Sequence, residues 1–169
     1  MNNIKIKRGT LGDTRTAEKV PTFPEFDSAN KSHRTDVMNM MDYVVDIIHT
    51  RGLSHDKMKL FEPDRSMFYR ELCAAIEGKI DFERDGQWLK KHYMEERHHL
   101  NSYCPDDVNL IDVIEMICDC VCAGMARTGE VRPVEIKSEV LQKAVENTVK
   151  MLSDAVVLEE DDDNRKLEF

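Results

Sequence analysis

Hydrophobic residues along most of this chain recur at steps of three and four positions, which is the spacing of one face of an α-helix. Stretches of this kind predict five main helices, over about residues 34–50, 63–77, 86–100, 107–127 and 134–157. A capping box, Thr22-Phe-Pro-Glu25, predicts a further short helix from Phe23 to about Ala29. The pattern therefore predicts the all-α class, as a compact bundle of about five to six helices.

The two ends of the chain differ from this helical middle. Residues 1–31 lack a strong period, and the alternation of Ile4 and Ile6 with lysines predicts either a short strand or an extended arm. Near the other end, the run of acidic residues at 159–163 is typical of a solvated tail. We therefore divide the chain into an N-terminal arm (1–31), a helical domain (32–157) and an acidic C-terminal tail (158–169).

Composition limits the classes of protein that remain. The chain has 169 residues, of which 41% are hydrophobic, and this supplies a sizeable core without disulfide bonds. No run of about 18 apolar residues occurs, so we expect no transmembrane helix and no membrane partner. The first residues, MNNIKIKRG, precede no apolar run, so we expect no secretory signal, free thiols at the five cysteines, and a cytoplasmic location. The net charge of −9 argues against duplex nucleic acid as a partner.

The predicted fourth helix carries acids in an apolar context. Its sequence, VNLIDVIEMICDCVCAGMA, is apolar almost all the way round, which indicates a buried helix. Asp112, Glu115 and Asp119 nevertheless fall within an arc of about 60°, at about 100° per residue. Carboxylates on a buried stripe are costly unless they are paired or bound to a metal. The alternative is that this stripe faces water.

Histidines form two further groups. His98 and His99 follow His92 and Glu96, and His92, Glu96 and His99 share one face of the predicted third helix. Neutral imidazoles are common ligands of transition metals, although an exposed polar helix end would have the same composition. The second group is the doublet His55-Asp56.

Two residues extend the doublet's chemistry. Lys59 follows three residues after Asp56, where an ammonium group suits a phosphate oxygen. Upstream, His33 stands four residues before Val37 and is expected to project from the buried side of the first helix.

The order His33, then His55-Asp56 with Lys59, then an acid on a buried helix resembles the HD-domain metal-dependent phosphohydrolases, over roughly residues 32–127. That family is all-helical. Two features depart from its pattern: Met58 replaces the usual small residue before the lysine, and only 21 residues separate the first histidine from the doublet. The chain is also similar to small phage-encoded proteins with histidine-rich helices, for which the location would be the host cytoplasm.

The resemblance implies a metal site and a reaction. It implies metal ligands at His33, His55 and Asp56, a last ligand at Asp112 or Asp119, and further ligands or a substrate contact at His98 and His99. The implied cofactor is a divalent metal ion (Mn, Co, Ni, Zn, Fe or Mg), and the implied substrate is a nucleotide or a similar small phosphate ester. Lys59 would stabilise the phosphoryl oxygens, and Glu115 would orient a water or a ligating imidazole. His98 or His99 would hold a second metal or protonate the leaving oxygen.

Three other functions remain open from the sequence. Acids on two helices could hold magnesium, as in helical nucleoside-triphosphate pyrophosphohydrolases. Two overlapping Glu-x-x-His patterns at residues 95–99 fit a di-iron protein, although that class needs them on separate helices. A non-catalytic binding protein would use the same side chains as a structural network. The oligomeric state is also open, because the methionine-rich first helix could be core or interface, and core is favoured.

Overall fold

The computed structural model describes residues 3–131 and 133–159, and these are helical apart from loops and one pair of short strands. Of these, residues 3–46 with 150–159 belong to one unit, and residues 47–131 with 133–149 belong to the other. The helices of the described residues are α1 (Phe23–Ser54), α2 (Asp64–Ile76), α3 (Phe82–Asp85), α4 (Gln87–Glu95), α5 (Leu110–Thr128) and α6 (Ser138–Asp154), with a 3₁₀ turn at Lys57–Lys59. The strands are β1 (Ile4–Lys7) and β2 (Val156–Glu159). The all-α prediction is confirmed. None of the described helices combines the length and hydropathy that crossing a bilayer requires.

Helix α1 begins where the sequence predicts but is much longer than predicted. The backbone N–H and the hydroxyl of Thr22 donate to the carboxylate of Glu25 at 2.7 and 2.8 Å, which stabilises the first turn. The helix predicted from about residue 34 does not begin there, although Ser32 is a residue type that caps helices, because no glycine or proline breaks the helix between its first turn and Gly52. Two predicted helices are therefore a single helix of 32 residues, which continues past Gly52. The boundary predicted between residues 31 and 32 lies inside it.

The first unit contains a two-stranded parallel sheet. Ile4 of β1 lies opposite Val156 of β2, and Lys7 lies opposite Glu159. Ile4 is buried, so its alternation with lysines corresponds to a short strand, one of the two alternatives open from the sequence. The predicted last helix ends at Asp154, and the residues after it form β2. Most of the predicted acidic tail, from residue 160 onward, lies outside the described residues.

The second unit has two clusters of buried apolar side chains. One joins α5 to α6 and to the loop before α5, through Leu100, Val108, Val113, Met116 and Ala144. The other surrounds Trp88 of α4, on which Phe68 of α2 stacks with ring centroids 4.1 Å apart. These clusters fix α4 and α5, which carry much of the chemistry predicted from the sequence.

Helix α4 ends earlier than the sequence predicts. The chain leaves the helix at Glu96, whose extended backbone (φ −92°, ψ 110°) begins a series of turns. His98 and His99 therefore lie on a turn rather than on the predicted helix. The Glu-x-x-His patterns of a di-iron site are not on a helix in the described chain. Helix α5 begins with a complete capping box between Asn109 and Asp112, which fixes where its acidic stripe starts.

Candidate metal centre

Histidine and carboxylate side chains from four separate segments of the second unit meet in one place. His55 and Asp56 follow the end of α1, and His92 lies on α4. His98 and His99 come from the turn after α4, and Glu115 and Asp119 come from α5. Three overlapping groups of these side chains place possible ligand atoms within 4.8 Å of one another: Asp56 with His92, His98 and His99; His55 with His98 and Glu115; and His55 with Asp56 and Asp119.

Asp56 lies at the middle of the cluster. Its backbone is left-handed (φ 52°), a conformation that aspartate tolerates better than most residues. Its carboxylate oxygens reach in two directions: Oδ2 lies 3.5 Å from Nε2 of His55, and Oδ1 lies 3.3 Å from Nε2 of His92. Lys59 donates a hydrogen bond to Oδ2 and lowers the pKa of Asp56 against the opposing effect of burial. The carboxylate is therefore held ionised and accessible to two sets of imidazoles.

Two imidazoles direct Nε2 toward the same pair of carboxylates. Nε2 of His55 lies 3.6 Å from Oδ1 of Asp119, in addition to its contact with Asp56. Nε2 of His98 lies 3.9 Å from Asp56 and 4.0 Å from Asp119. These separations are too long for good hydrogen bonds and suit donor atoms that share one cation.

Glu115 lies on the opposite side of both rings. Its Oε1 is 3.0 Å from Nδ1 of His55 and 3.2 Å from Nδ1 of His98, and its Oε2 accepts from Arg51 at 3.0 Å. Burial acts to raise the pKa of Glu115, but these three partners outweigh it and lower that pKa to about 2. A carboxylate behind an imidazole fixes the ring's orientation and leaves the other nitrogen for a metal. Glu115 therefore has the position of an orienting residue for both histidines.

The pKa of His98 is raised despite burial. Burial acts to lower it, while the contact with Glu115 and the charges of Asp56 and Asp119 raise it further than burial lowers it. The negative charge around this ring therefore favours a cation, whether a proton or a metal ion.

His92 and His99 form a second pair of imidazoles. Their Nε2 atoms are 2.8 Å apart, and His92 stacks on the Trp88 ring with centroids separated by 4.7 Å. Burial is the largest cause that lowers the pKa of each ring to about 4, followed by the charge of a neighbouring histidine. Both rings are therefore neutral near pH 7, which is the protonation state that binds metal.

Several buried polar atoms of the cluster lack a hydrogen-bond partner among the described residues. Asp56 Oδ1 and His98 Nε2 are two of them, and both face the space between the carboxylates and the imidazoles. Burying such atoms without partners costs free energy, so they normally indicate a water or an ion. The donor set of imidazole nitrogens and carboxylate oxygens suits divalent transition metals. The residues of the cluster therefore fit a divalent metal ion.

Asp112 is not placed in this cluster. Its side chain is fully buried, with Oδ1 accepting from Arg51 at 2.5 Å and from Arg97 at 2.9 Å, and Oδ2 accepting from Arg97 at 2.8 Å. Oδ2 also accepts the backbone N–H of Asn109 in the capping box. The structure thus corrects one alternative for the last ligand. Both carboxylate oxygens of Asp112 accept hydrogen bonds from arginines, whereas Asp119, two turns further along α5, faces His55 and His98.

His33 is not placed there either. It is exposed on α1 in the first unit, and the groups of possible ligands among the described residues do not include it. The sequence predicted that His33 projects from the buried side of the first helix, four residues before Val37. Both residues are exposed, so that prediction is wrong.

Two arginines that the sequence analysis did not name, and Glu96, which it named only as sharing a helix face with His92 and His99, support or adjoin the centre. Arg51 and Arg97 anchor Asp112, and only their opposite charge to the acids of α5 could have indicated it. Glu96 is buried, its Oε1 lacks a partner in the described chain, and burial followed by the charge of Asp56 raises its pKa. An acid between two histidine-rich positions was visible in the sequence, but its burial was not.

A cleft of about 230 Å³ opens beside the centre. His55, Glu115 and Asp119 lie in its wall, together with Arg51 and Gly52 of α1. The remaining wall is apolar and consists of Ile48, Ile111, Ile114, Cys118 and Cys122. The cleft therefore joins an apolar surface to three residues of the candidate metal centre.

The fold and the site together define an all-α protein with a histidine- and carboxylate-rich centre that could hold a metal ion. The chain belongs to the DUF5662 family, a family of unknown function whose model matches residues 24–159. No curated protein and no solved structure matches the chain.

Proposed function

We propose that this protein is a metal-dependent phosphohydrolase that acts on a nucleotide or a similar small phosphate ester. The observation that carries the proposal is the convergence of Nε2 of His55 and His98 on the carboxylates of Asp56 and Asp119, with Glu115 behind both rings. The resemblance of His55-Asp56 and Lys59 to the HD-domain doublet supplies the reaction class.

The metal would be held by His55, His98, Asp56 and Asp119, and a bound divalent cation would supply Lewis acidity and a nucleophile derived from water near neutral pH. Glu115 orients the two imidazoles and keeps their Nε2 lone pairs directed inward. His92 and His99, which share Asp56 with this set, would be ligands for a second cation.

Lys59 and Glu96 are suited to the phosphate and the proton. Lys59 lies beside Asp56, so its ammonium group would stabilise negative charge on a phosphoryl oxygen next to the centre. Glu96 has a raised pKa and an unpartnered Oε1, so it would hold a proton there for the leaving oxygen. We assign this role to Glu96 in preference to His98, because Nε2 of His98 faces Asp56 and Asp119, the carboxylates that would hold the metal.

Elemental analysis of the purified protein tests the proposal. After exposure to Mn, Co, Ni, Zn and Fe salts, we expect near-stoichiometric metal in the wild type and in the control His33→Ala, and none in the His55→Ala/Asp56→Ala double variant. Phosphate release from nucleotides and simple phosphate monoesters should then require both metal and the doublet. A wild type that binds no metal, or full activity in the double variant, would refute the proposal.

A further inference from the structure

The cleft beside the candidate metal centre carries information about the organic part of the substrate. Two of the proposed ligands, His55 and Asp119, lie in its wall, so a phosphate group at the metal would place its ester substituent in or next to the cleft. The space, about 230 Å³, exceeds the roughly 150 Å³ of an apolar cavity that holds one benzene molecule. A single ring or a short alkyl group therefore fits.

The wall of the cleft is mostly apolar, and several of its polar atoms already have partners. Nη1 of Arg51 donates to Asp112 and to Glu115, and both oxygens of Glu115 have partners in Arg51 and His55. Ile48, Ile111 and Ile114 offer no hydrogen bond at all. A nucleobase in this cleft would exchange its hydrogen bonds to water for apolar contacts, which costs free energy for each group left unpaired. An apolar group would gain by the same transfer.

We infer that the cleft binds the apolar organic group of a phosphate monoester, so that the preferred substrate is an aryl or alkyl phosphate rather than a nucleotide. This inference rests on the proposed function, because the metal centre locates the phosphate. It narrows the substrate class from phosphate esters in general to those with an apolar organic group, because most of the cleft wall is apolar.

Gly52 allows a clean test of the cleft. A Cβ placed on this residue meets no atom within 4 Å, so a larger side chain would enter open space. The residue lies inside α1, where leucine is a better helix former than glycine. Gly52→Leu should therefore fold normally, keep its metal and fill part of the cleft, while Gly52→Ala serves as the matched control.

The measurement is isothermal titration calorimetry with phosphonates. Their carbon–phosphorus bond replaces the ester bond that a phosphohydrolase cleaves, so the ligand stays intact during the titration. Phenylphosphonate and methylphosphonate are titrated into the wild type and both Gly52 variants, loaded with Zn²⁺. We expect phenylphosphonate to bind about tenfold more tightly than methylphosphonate to the wild type, since removing about 60 Å² of ring surface from water corresponds to that factor. The preference should persist in Gly52→Ala and disappear in Gly52→Leu.

The outcomes separate this inference from the proposed function. Equal binding of the two phosphonates by the wild type, no binding of either, or tighter binding of uridine monophosphate than of phenylphosphonate, would overturn the inference. Phosphate release from nucleotides alongside such a result would leave the hydrolase proposal standing. A preference for phenylphosphonate that Gly52→Leu abolishes, without phosphate release from phenyl phosphate under any metal, would support the cleft and refute the hydrolase.

Discussion

Replacing Asp112 and Asp119 with asparagine, one at a time, distinguishes an aspartate that stabilises the fold from one that binds metal, on the same helix. The two aspartates lie seven residues apart on α5, so the same substitution is made in the same secondary structure. In Asp112→Asn, the oxygen that caps α5 can be kept, but the amide NH₂ group then faces the arginine donors and the negative charge is lost. Arg51 and Arg97 would be left with an unfavourable partner.

The magnitude follows from the burial of the three side chains. Removing one partner of a buried ion pair costs about 3–5 kcal/mol. Asp112 is fully buried, but the side chains of Arg51 and Arg97 are 23% and 29% exposed and can regain some hydration. We therefore take the lower end, about 3 kcal/mol, which corresponds to a fall in Tm of about 6–12 °C for a chain of this size.

Asp119→Asn should behave in the opposite way. Asp119 contacts His55 and His98 at 3.6 and 4.0 Å, and its side chain is 31% exposed, so asparagine should change the free energy of unfolding by less than about 1 kcal/mol. It should, however, remove the bound metal.

Urea unfolding of the metal-free proteins, followed by circular dichroism at the helix band, measures the first quantity. Elemental analysis of the native proteins measures the second. The reasoning fails if Asp112→Asn is within 1 kcal/mol of the wild type and loses its metal, since Asp112 would then be a ligand.

Three further results are expected. Glu115→Gln should weaken metal affinity by about 10- to 100-fold in a competition titration, because the amide orients two imidazoles less strongly than the carboxylate, and unchanged affinity would contradict the orienting role. Trp88, the only tryptophan, stacks on His92, so Zn²⁺ should change its fluorescence in the wild type but not in His92→Phe, and a persistent response there would place the metal elsewhere. The pKa values of His92 and His99, about 4, lie below the ordinary 6.5, so the unfolded chain binds protons first and the free energy of unfolding of the metal-free protein should fall as the pH falls from about 6.5 to 4. The raised pKa of His98 adds stability that is complete below about pH 6.5 and is lost only as the pH rises above it, so His98 does not alter the expected fall between pH 6.5 and 4. Urea midpoints that increase as the pH is lowered over this range would contradict the assignment.

The local pattern of the sequence predicted most helices because their apolar faces repeat along the chain. It failed where contacts distant in sequence decide the backbone. Nothing in the stretch from Glu95 to His99 breaks a helix by propensity. Arg97, however, reaches Asp107 and Asp112 only when the chain has left the helix, and these ion pairs accompany the turn. Helix α1 shows the reverse case, since Ser32 is a good cap in isolation but the helix simply continues through it.

The sequence predicted the kind of site, a cluster of histidines and carboxylates, but only some of the residues that form it. Periodicity placed Asp112, Glu115 and Asp119 on one stripe, but it could not show which acid meets an arginine and which meets a histidine. That difference depends on Arg51 and Arg97, which come from other segments. The doublet at His55-Asp56 was recognisable because its residue types are adjacent, whereas the prediction for His33 depended on which face of the first helix is buried, and His33 is exposed.

The capping box at the start of α5 makes the length of the following segment critical. Asn109 and Asp112 set both the height and the rotation at which the helix begins, and Asp112 is tied to two arginines as well. One inserted residue between Asp112 and Asp119 would turn Asp119 by about 100° and shift it by about 1.5 Å along the axis, away from His55. An insertion beyond Asp119 would leave both residues in register. The number of residues from the start of α5 to Asp119, which is ten, is therefore fixed by the contacts at both ends. The part of the helix beyond Asp119 has no such restriction on its length.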